Sequence, residues 1–175
     1  MLCTFTGGHE MQELIIKNVK TVEYKDVNMN EMFDPHVEHQ KSFEFRNATV
    51  SSPYATEGKL FVTFYTLMPG KTSYPYHYHS GMEEVFYVIS GNATLKTPGG
   101  DKAVSEGDVI VLPANANGAH QLTNTSNDVF VYLDIDTASS PEVVFFPDKN
   151  DFRILTPAVH KNFSLDSEVN YLRNE

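Results

Sequence analysis

The chain has 175 residues, the usual length of one domain, and its single cysteine, Cys3, excludes a disulfide framework and a zinc site built on thiolates. Its 13 Lys and Arg against 23 Asp and Glu give a formal net charge of -10, which, without a basic cluster, argues against a nucleic-acid partner. No apolar run approaches the roughly 18 residues of a membrane span, and the first residues lack a secretory signal pattern, so we expect a cytoplasmic protein without a membrane partner.

Short segments rich in Val, Ile, Phe, Tyr and Thr recur between turns formed by Gly, Pro, Asn and Asp. This pattern is typical of an antiparallel sandwich or barrel. The predicted strands, in chain order, are 13–17, 42–50, 59–68, 74–79, 84–89, 93–97, 102–104, 108–112, 118–123, 129–136 and 142–146. The strand at 129–136 is predicted to be half-buried because its apolar residues alternate, with Val129, Val131, Leu133 and Ile135 on one face and Phe130, Tyr132, Asp134 and Asp136 on the other.

The chain is predicted to be one all-β domain without internal duplication. The barrel is placed at 42–146, between a more polar N-terminal arm at 1–41 and a C-terminal arm at 147–175. We expect these irregular arms to wrap the body or a partner subunit. Because Met11 begins a plausible natural start, residues 1–10 are predicted to be a tag, an upstream read or a frayed tail.

A histidine pair in the middle of the chain is the strongest chemical signal. His77 and His79 lie two residues apart, so an extended strand would point both imidazoles to the same side. Glu84 follows after a short turn, and His120 follows the strand at 108–112. If the sheet closes on itself, three imidazoles and one carboxylate can meet, and these ligands suit a divalent first-row metal.

The spacing of these residues resembles the two motifs of the cupin superfamily. His77, His79, Glu84 and Gly91 fit the first motif without adjustment, although Gly70 precedes His77 by one residue more than usual. The second motif fits at its Gly, Pro, His and Asn, but the loop PANANGAH is two residues longer, as in a variant found in small bacterial single-domain cupins. The resemblance covers about residues 60–136. It implies a double-stranded β-helix, a jelly-roll or RmlC-like barrel.

The same resemblance implies that the metal ligands are His77, His79, Glu84 and His120. Glu83 is the competing carboxylate, but the spacing to Gly91 favours Glu84. Gly91 and Gly107 are interpreted as turn glycines with positive φ, and Asn124 is interpreted as a residue that stabilises a turn.

Other side chains near the motif are predicted from the alternation alone. Tyr74, Tyr76 and Tyr78 alternate with the histidines, so we expect their rings to point away from the metal. Phe86 and Val88 share the side of Glu84 and are candidates for the pocket wall. The sequence singles out no general acid or base, so the catalytic residues are unknown at this stage.

The ligand set also bears on the metal. Four protein ligands would saturate a tetrahedral zinc ion, whereas six-coordinate Fe(II), Mn(II), Ni(II) or Co(II) would keep two positions for water, O2 or substrate oxygens. We expect a divalent transition metal (Fe, Mn, Ni, Co or Zn) as the cofactor and a small molecule as the ligand or substrate.

The superfamily that the motifs resemble includes dioxygenases, isomerases, decarboxylases, storage proteins and sugar-binding modules, so the resemblance does not fix the activity. We favour a metal-dependent small-molecule enzyme, dioxygenase- or isomerase-like, that uses the metal as a Lewis acid or to activate O2. The alternative is a non-catalytic module that binds or senses a small molecule or sugar. Because single-domain cupins are commonly dimers, the resemblance also implies a homodimer.

Overall fold

The structure, a computed structural model, describes residues 14–32, 42–55 and 58–168, so the tail predicted at 1–10 lies outside the described residues. Within these segments the regular structure is almost entirely β, and the prediction of an all-β chain is confirmed. The helices there are short 3-10 helices, at Met29–Met32, Ala116–Gly118, Pro147–Lys149 and Leu165–Ser167. None of the helices in the described segments has the length and hydropathy that crossing a membrane requires.

The described residues form fourteen strands. In chain order they are β1 (Lys25–Asn28), β2 (Ser42–Ser51), β3 (Leu60–Leu67), β4 (Lys71–Thr72), β5 (Tyr78–His79), β6 (Glu84–Ser90), β7 (Asn92–Thr97), β8 (Gly100–Ser105), β9 (Val109–Leu112), β10 (Gln121–Thr123), β11 (Phe130–Thr137), β12 (Glu142–Phe146), β13 (Asp151–Leu155) and β14 (His160–Ser164).

Ten of the strands form one curled sheet in the order β8-β7-β10-β4-β2-β3-β11-β6-β9, with β1 paired to β2. The half-buried strand predicted at 129–136 is confirmed as β11, which lies between β3 and β6. Its buried face carries Phe130 and Tyr132, whereas the apolar residues of the other face are only half-buried. Inward-pointing apolar side chains from this sheet form the core, which includes Phe43, Phe45, Tyr65, Leu67, Phe86, Val88, Leu122, Phe130 and Tyr132.

The other four strands form a smaller sheet in the order β14-β13-β12-β5. The C-terminal segment is therefore more regular than expected, since β13 and β14 lie in the predicted irregular arm at 147–175. Aromatic pairs across these strands explain the order: Phe152 stacks on Phe163 with 5.3 Å between ring centroids, and lies 6.2 Å from Phe145. Polar residues between the aromatics weaken the strand pattern in the sequence. The boundary at residue 146 stays a prediction.

The strand predicted at 13–17 is wrong over its described part, 14–17. This segment has no hydrogen-bonded neighbour among the described residues, and the side chains of Leu14 and Ile16 are 86% and 80% exposed. An apolar run becomes a strand only when another strand lies beside it. Here Lys25–Asn28, a more polar segment, is the one that pairs with β2.

The outer face of the large sheet is also apolar across β3, β11, β6 and β9. Directly opposite residues share a face, and two such rows cross these strands: Val62, Ile135, Val85 and Val111, and then Phe64, Leu133, Tyr87 and Val109. At the edge strand β9, Val109 and Val111 are 63% and 68% exposed. Antiparallel sheets usually have one polar face, so a sheet that is apolar on both faces is normally covered on both.

We expect this outer face to be buried in the homodimer that the sequence predicts. Val111→Lys should then convert the dimer to a monomer at micromolar concentration, because the interface would have to bury an unpaired charge. Val159→Lys, at an exposed valine outside the face, is the matched control. Sedimentation velocity distinguishes the two species, and a wild-type monomer or a dimeric Val111→Lys variant would contradict the prediction.

Candidate metal centre

A cavity of about 180 Å³ is lined by side chains from both sheets. The four residues predicted as ligands, His77, His79, Glu84 and His120, all line it. Aromatic side chains, including the predicted wall residue Phe86, form much of the remaining surface, whereas Val88, predicted to share this wall, is buried in the core and does not line the cavity. The fold therefore brings the four predicted ligands to one cavity, although His77 and His120 are 43 positions apart in the chain.

His77 and His120 face each other as an antiparallel backbone pair. The His77 N–H donates to the His120 carbonyl at 3.1 Å, and the His120 N–H donates to the His77 carbonyl at 2.8 Å. Such a pair places both side chains on one face, and the ring centroids are 4.5 Å apart. This pairing covers fewer residues than the strands predicted at 74–79 and 118–123 would allow. Pro75 has no N–H to donate on one side, and residues 116–118 form a 3-10 turn on the other.

Backbone carbonyls fix the tautomer of both rings. Nδ1 of His77 lies 2.8 Å from the Pro75 carbonyl oxygen, and Nδ1 of His120 lies 2.9 Å from that of Gly118. A carbonyl only accepts, so each Nδ1 is the donor and each Nε2 keeps a free lone pair. Burial holds the pKa of His77 well below its ordinary value and lowers the pKa of His120 to about 4, so both rings are neutral at pH 7.

Glu84 lies among the three imidazoles. Its Oε1 is 3.7 Å from Nε2 of His79, and its Oε2 is 3.6 Å from Nε2 of His120. One donor atom from each of His77, His79 and Glu84 lies within 4.8 Å of the others. Glu84 is buried, whereas the competing Glu83 is exposed on the other side of the strand.

Glu142, on β12, lies beside the third imidazole, that of His79. Its Oε1 lies 3.5 Å from Nδ1 of His79 and accepts hydrogen bonds from the N–H groups of Ser80 at 2.8 Å and Gly81 at 3.1 Å. Burial opposes ionisation of Glu142, but His79 and these backbone donors outweigh it and lower the pKa of Glu142 to about 2. Burial likewise lowers the pKa of His79, yet Glu142 and Glu84 raise it above its ordinary value.

Comparison with protein-family models gives a match for the part of the chain that contains these imidazoles. Residues 63–136, which contain all four predicted ligands, match the Cupin_2 family model, described as a cupin domain. Residues 63–136 therefore form a cupin domain. Comparison with curated proteins gives no match.

Solved structures confirm the double-stranded β-helix of this cupin. A candidate sugar phosphate isomerase from Acidithiobacillus ferrooxidans is 25% identical with a TM-score of 0.63, over 73% of this chain and 81% of that one. A sugar phosphate isomerase of the cupin superfamily from Silicibacter pomeroyi is 18% identical with a TM-score of 0.70, over 86% and 92%. A predicted oxalate decarboxylase from Thermotoga maritima is 19% identical with a TM-score of 0.56, over 73% and 100%.

Motif reasoning missed two carboxylates of the cavity in this cupin. Asp136 on β11 lies directly opposite Glu84 on β6, and Asp134 lies two residues away on the same face. The three carboxylates have oxygens within 4.8 Å of one another. The sequence did contain a signal, because both aspartates continue the face of Phe130 and Tyr132. An acidic side chain on a face that carries large aromatic residues is unfavourable, so it indicates a functional role.

The pKa values of these three carboxyl groups are all raised, so the trio keeps protons at a pH where exposed carboxyl groups are ionised. Burial raises the pKa of Glu84 to about 8, and burial together with the Asp136 charge raises the pKa of Asp134 well above its ordinary value. Burial also raises the pKa of Asp136. A cation that binds through Glu84 at neutral pH must therefore displace a proton.

The prediction that Tyr74 points away from the histidines is wrong. The chain bends at this residue instead of continuing as a strand, so the alternation no longer applies, and Tyr74 lines the cavity. Its hydroxyl lies 3.2 Å from that of Tyr65, and burial raises the pKa of Tyr74 to about 12. Tyr76 and Tyr78 do lie away from the cavity, against Lys96 and Phe145 respectively.

The donor chemistry of this cupin fits a divalent first-row metal. Three imidazoles and a carboxylate are the expected ligand types, and the neutral Nε2 atoms of His77 and His120 are free to coordinate. Oδ1 of Asp134 and Oδ1 of Asp136 are buried and have no hydrogen-bond partner among the described residues. The cavity thus also offers oxygens that could meet a ligand beside the metal.

Proposed function

We propose that this cupin is a metal-dependent enzyme acting on a small molecule, with His77, His79, Glu84 and His120 holding a divalent transition metal: Fe, Mn, Ni, Co or Zn. The supporting observation is the convergence of three imidazoles and a carboxylate on one cavity, where two of the imidazoles have their Nε2 atoms freed by backbone acceptors.

The neighbouring carboxylates favour catalysis over binding alone. A bound divalent ion would supply a Lewis acid that polarises a substrate oxygen. The ionised member of the pair Asp134 and Asp136 would accept a proton from the carbon beside that polarised group and return it to the adjacent carbon, while the hydroxyl proton passes between the two substrate oxygens. Tyr74, whose raised pKa keeps its hydroxyl protonated, would donate a hydrogen bond to a substrate oxygen.

Among the reactions open to such a site, these groups favour isomerisation by proton transfer. The similarity to two proteins named as sugar phosphate isomerases supports this choice, because one of them is 25% identical over 73% of this chain. A dioxygenase would need O2 beside the substrate, and nothing in the cavity favours that reaction specifically.

The proposal predicts metal-dependent exchange of substrate hydrogen with solvent. We expect metal-loaded protein in D2O to interconvert an aldose and ketose phosphate pair with deuterium uptake visible by NMR, and chelated protein to lose this activity. Asp134→Asn should slow turnover by about 10²- to 10⁴-fold with unchanged metal content.

Asp101→Asn, at an exposed position on β8, is the control variant. O2 consumption by the same samples tests the dioxygenase reaction. Reversible binding without turnover of any compound would support the binding module instead, and the enzyme proposal would be wrong.

A further inference from the structure

We propose that Arg153 binds an oxyanion of the substrate at the cavity, so that the substrate class is a small hydroxylated molecule carrying a phosphate or carboxylate. This inference rests on the proposed function, because it places the substrate in the same cavity. The smaller sheet would then bind the anionic group, and the reacting carbons would lie beside the carboxyl groups of the larger sheet.

Arg153 lies on β13 and is held in place by two neighbours. Its Nε donates to Oδ1 of Asn162 on β14 at 2.6 Å, and its guanidinium carbon lies 5.8 Å from the centroid of the Phe146 ring. Both Arg153 and Phe146 line the cavity. These contacts engage one edge and one face of the guanidinium, and its Nη atoms have no hydrogen-bond partner among the described residues.

The charge distribution makes Arg153 the natural partner of an anion. Among the described residues that line the cavity it is the only lysine or arginine, and no carboxylate in the described segments lies within 4 Å of it. The larger sheet contributes Glu84, Asp134 and Asp136 to the same lining. Arg153 has therefore not been neutralised by the acidic groups of its own cavity, and a planar guanidinium suits bidentate binding of phosphate or carboxylate.

The same distribution orients the substrate. An anionic group would be attracted to Arg153, the cationic side chain of the lining, while substrate hydroxyl groups would hydrogen-bond to the carboxyl groups of the larger sheet. Asp134 is 7% exposed, and its Oδ1 has no partner among the described residues although it lines the cavity. An acceptor buried in this way lacks the hydrogen bond that a substrate hydroxyl would supply.

The test measures anion binding separately from metal binding. Inorganic phosphate and acetate are titrated into chelated wild-type protein by calorimetry and by NMR. We expect the tighter of the two to bind about tenfold or more weakly to Arg153→Gln and partly to recover with Arg153→Lys. Arg46→Gln, at a surface ion pair with Asp26, should bind like the wild type. Tighter binding of inorganic phosphate would identify the substrate anion as a phosphate, and tighter binding of acetate would identify it as a carboxylate.

Two results would overturn the inference: neither anion binds to wild-type protein, or Arg153→Gln binds both as tightly as the wild type does. Failure of the proposed function is distinguishable, because anion binding to the metal-free protein does not require the imidazoles. Protein that binds phosphate through Arg153 yet takes up no metal would contradict the proposed function and leave this inference intact.

Discussion

Replacing His120 with alanine should remove tight metal binding while the barrel stays folded. The proposed site would lose one of three nitrogen ligands, and the loss in affinity should exceed the roughly 10- to 100-fold effect of removing a residue that only orients a ligand. Elemental analysis of protein purified without an affinity tag should give about one metal ion per wild-type chain and almost none for the variant.

His160→Ala is the matched control, because His160 is exposed and lies against Tyr54, away from the cavity. His79→Ala provides a second test if the buried His120 variant folds poorly. Wild-type metal content in both site variants would refute imidazole ligation. Far-UV circular dichroism of each variant shows whether the barrel has formed.

Gly118→Ala should destabilise the fold and disturb the metal centre together. A Cβ at this position would overlap the Pro113 carbonyl oxygen and lie 3.1 Å from the carbonyl carbon and nitrogen of Pro113. Backbone atoms cannot rotate away, so the loop must shift. We expect a loss of about 1–3 kcal/mol in the free energy of unfolding and a melting temperature lower by roughly 3–10 °C.

The same shift would move the carbonyl oxygen of Gly118, which fixes the ring of His120. Metal affinity should therefore fall as well, although no ligand has been changed. Gly99→Ala is the control, since a Cβ there would meet only Oγ1 of Thr97, at 3.8 Å. If Gly118→Ala matches Gly99→Ala in both stability and metal affinity, the loop does not position His120.

The sequence predicted those features that depend on local spacing. The positive φ values of Gly91 and Gly107, 86° and 91°, agree with the turns expected there. Asn124 stabilises its turn as predicted, because its side chain donates to the carbonyls of Leu67 and Asp128. Each of these roles follows from the chemistry of one residue type at a fixed distance from a strand.

Features that depend on which strands become neighbours were harder to predict. Glu142 and Arg153 lie in the smaller sheet, and their roles require the order β14-β13-β12-β5, which no motif encodes. Alternation placed Asp134 and Asp136 on the same face as Phe130 and Tyr132, but it did not show that this face lines the cavity, and their proximity to Glu84 depends on the register between β11 and β6. The run at 13–17 was misread because alternation and apolarity cannot supply a pairing partner.

The backbone pair between His77 and His120 has a thermodynamic consequence. It connects the residue before β5 of the smaller sheet to the residue before β10 of the larger one, so two of the proposed ligands sit on the seam where the sheets meet. An ion held there would bind only when the seam is closed and would be released when it opens. Ion binding and barrel closure would then be linked equilibria. Once the free ion concentration exceeds the dissociation constant, each further tenfold rise would add about 1.4 kcal/mol to the free energy of unfolding.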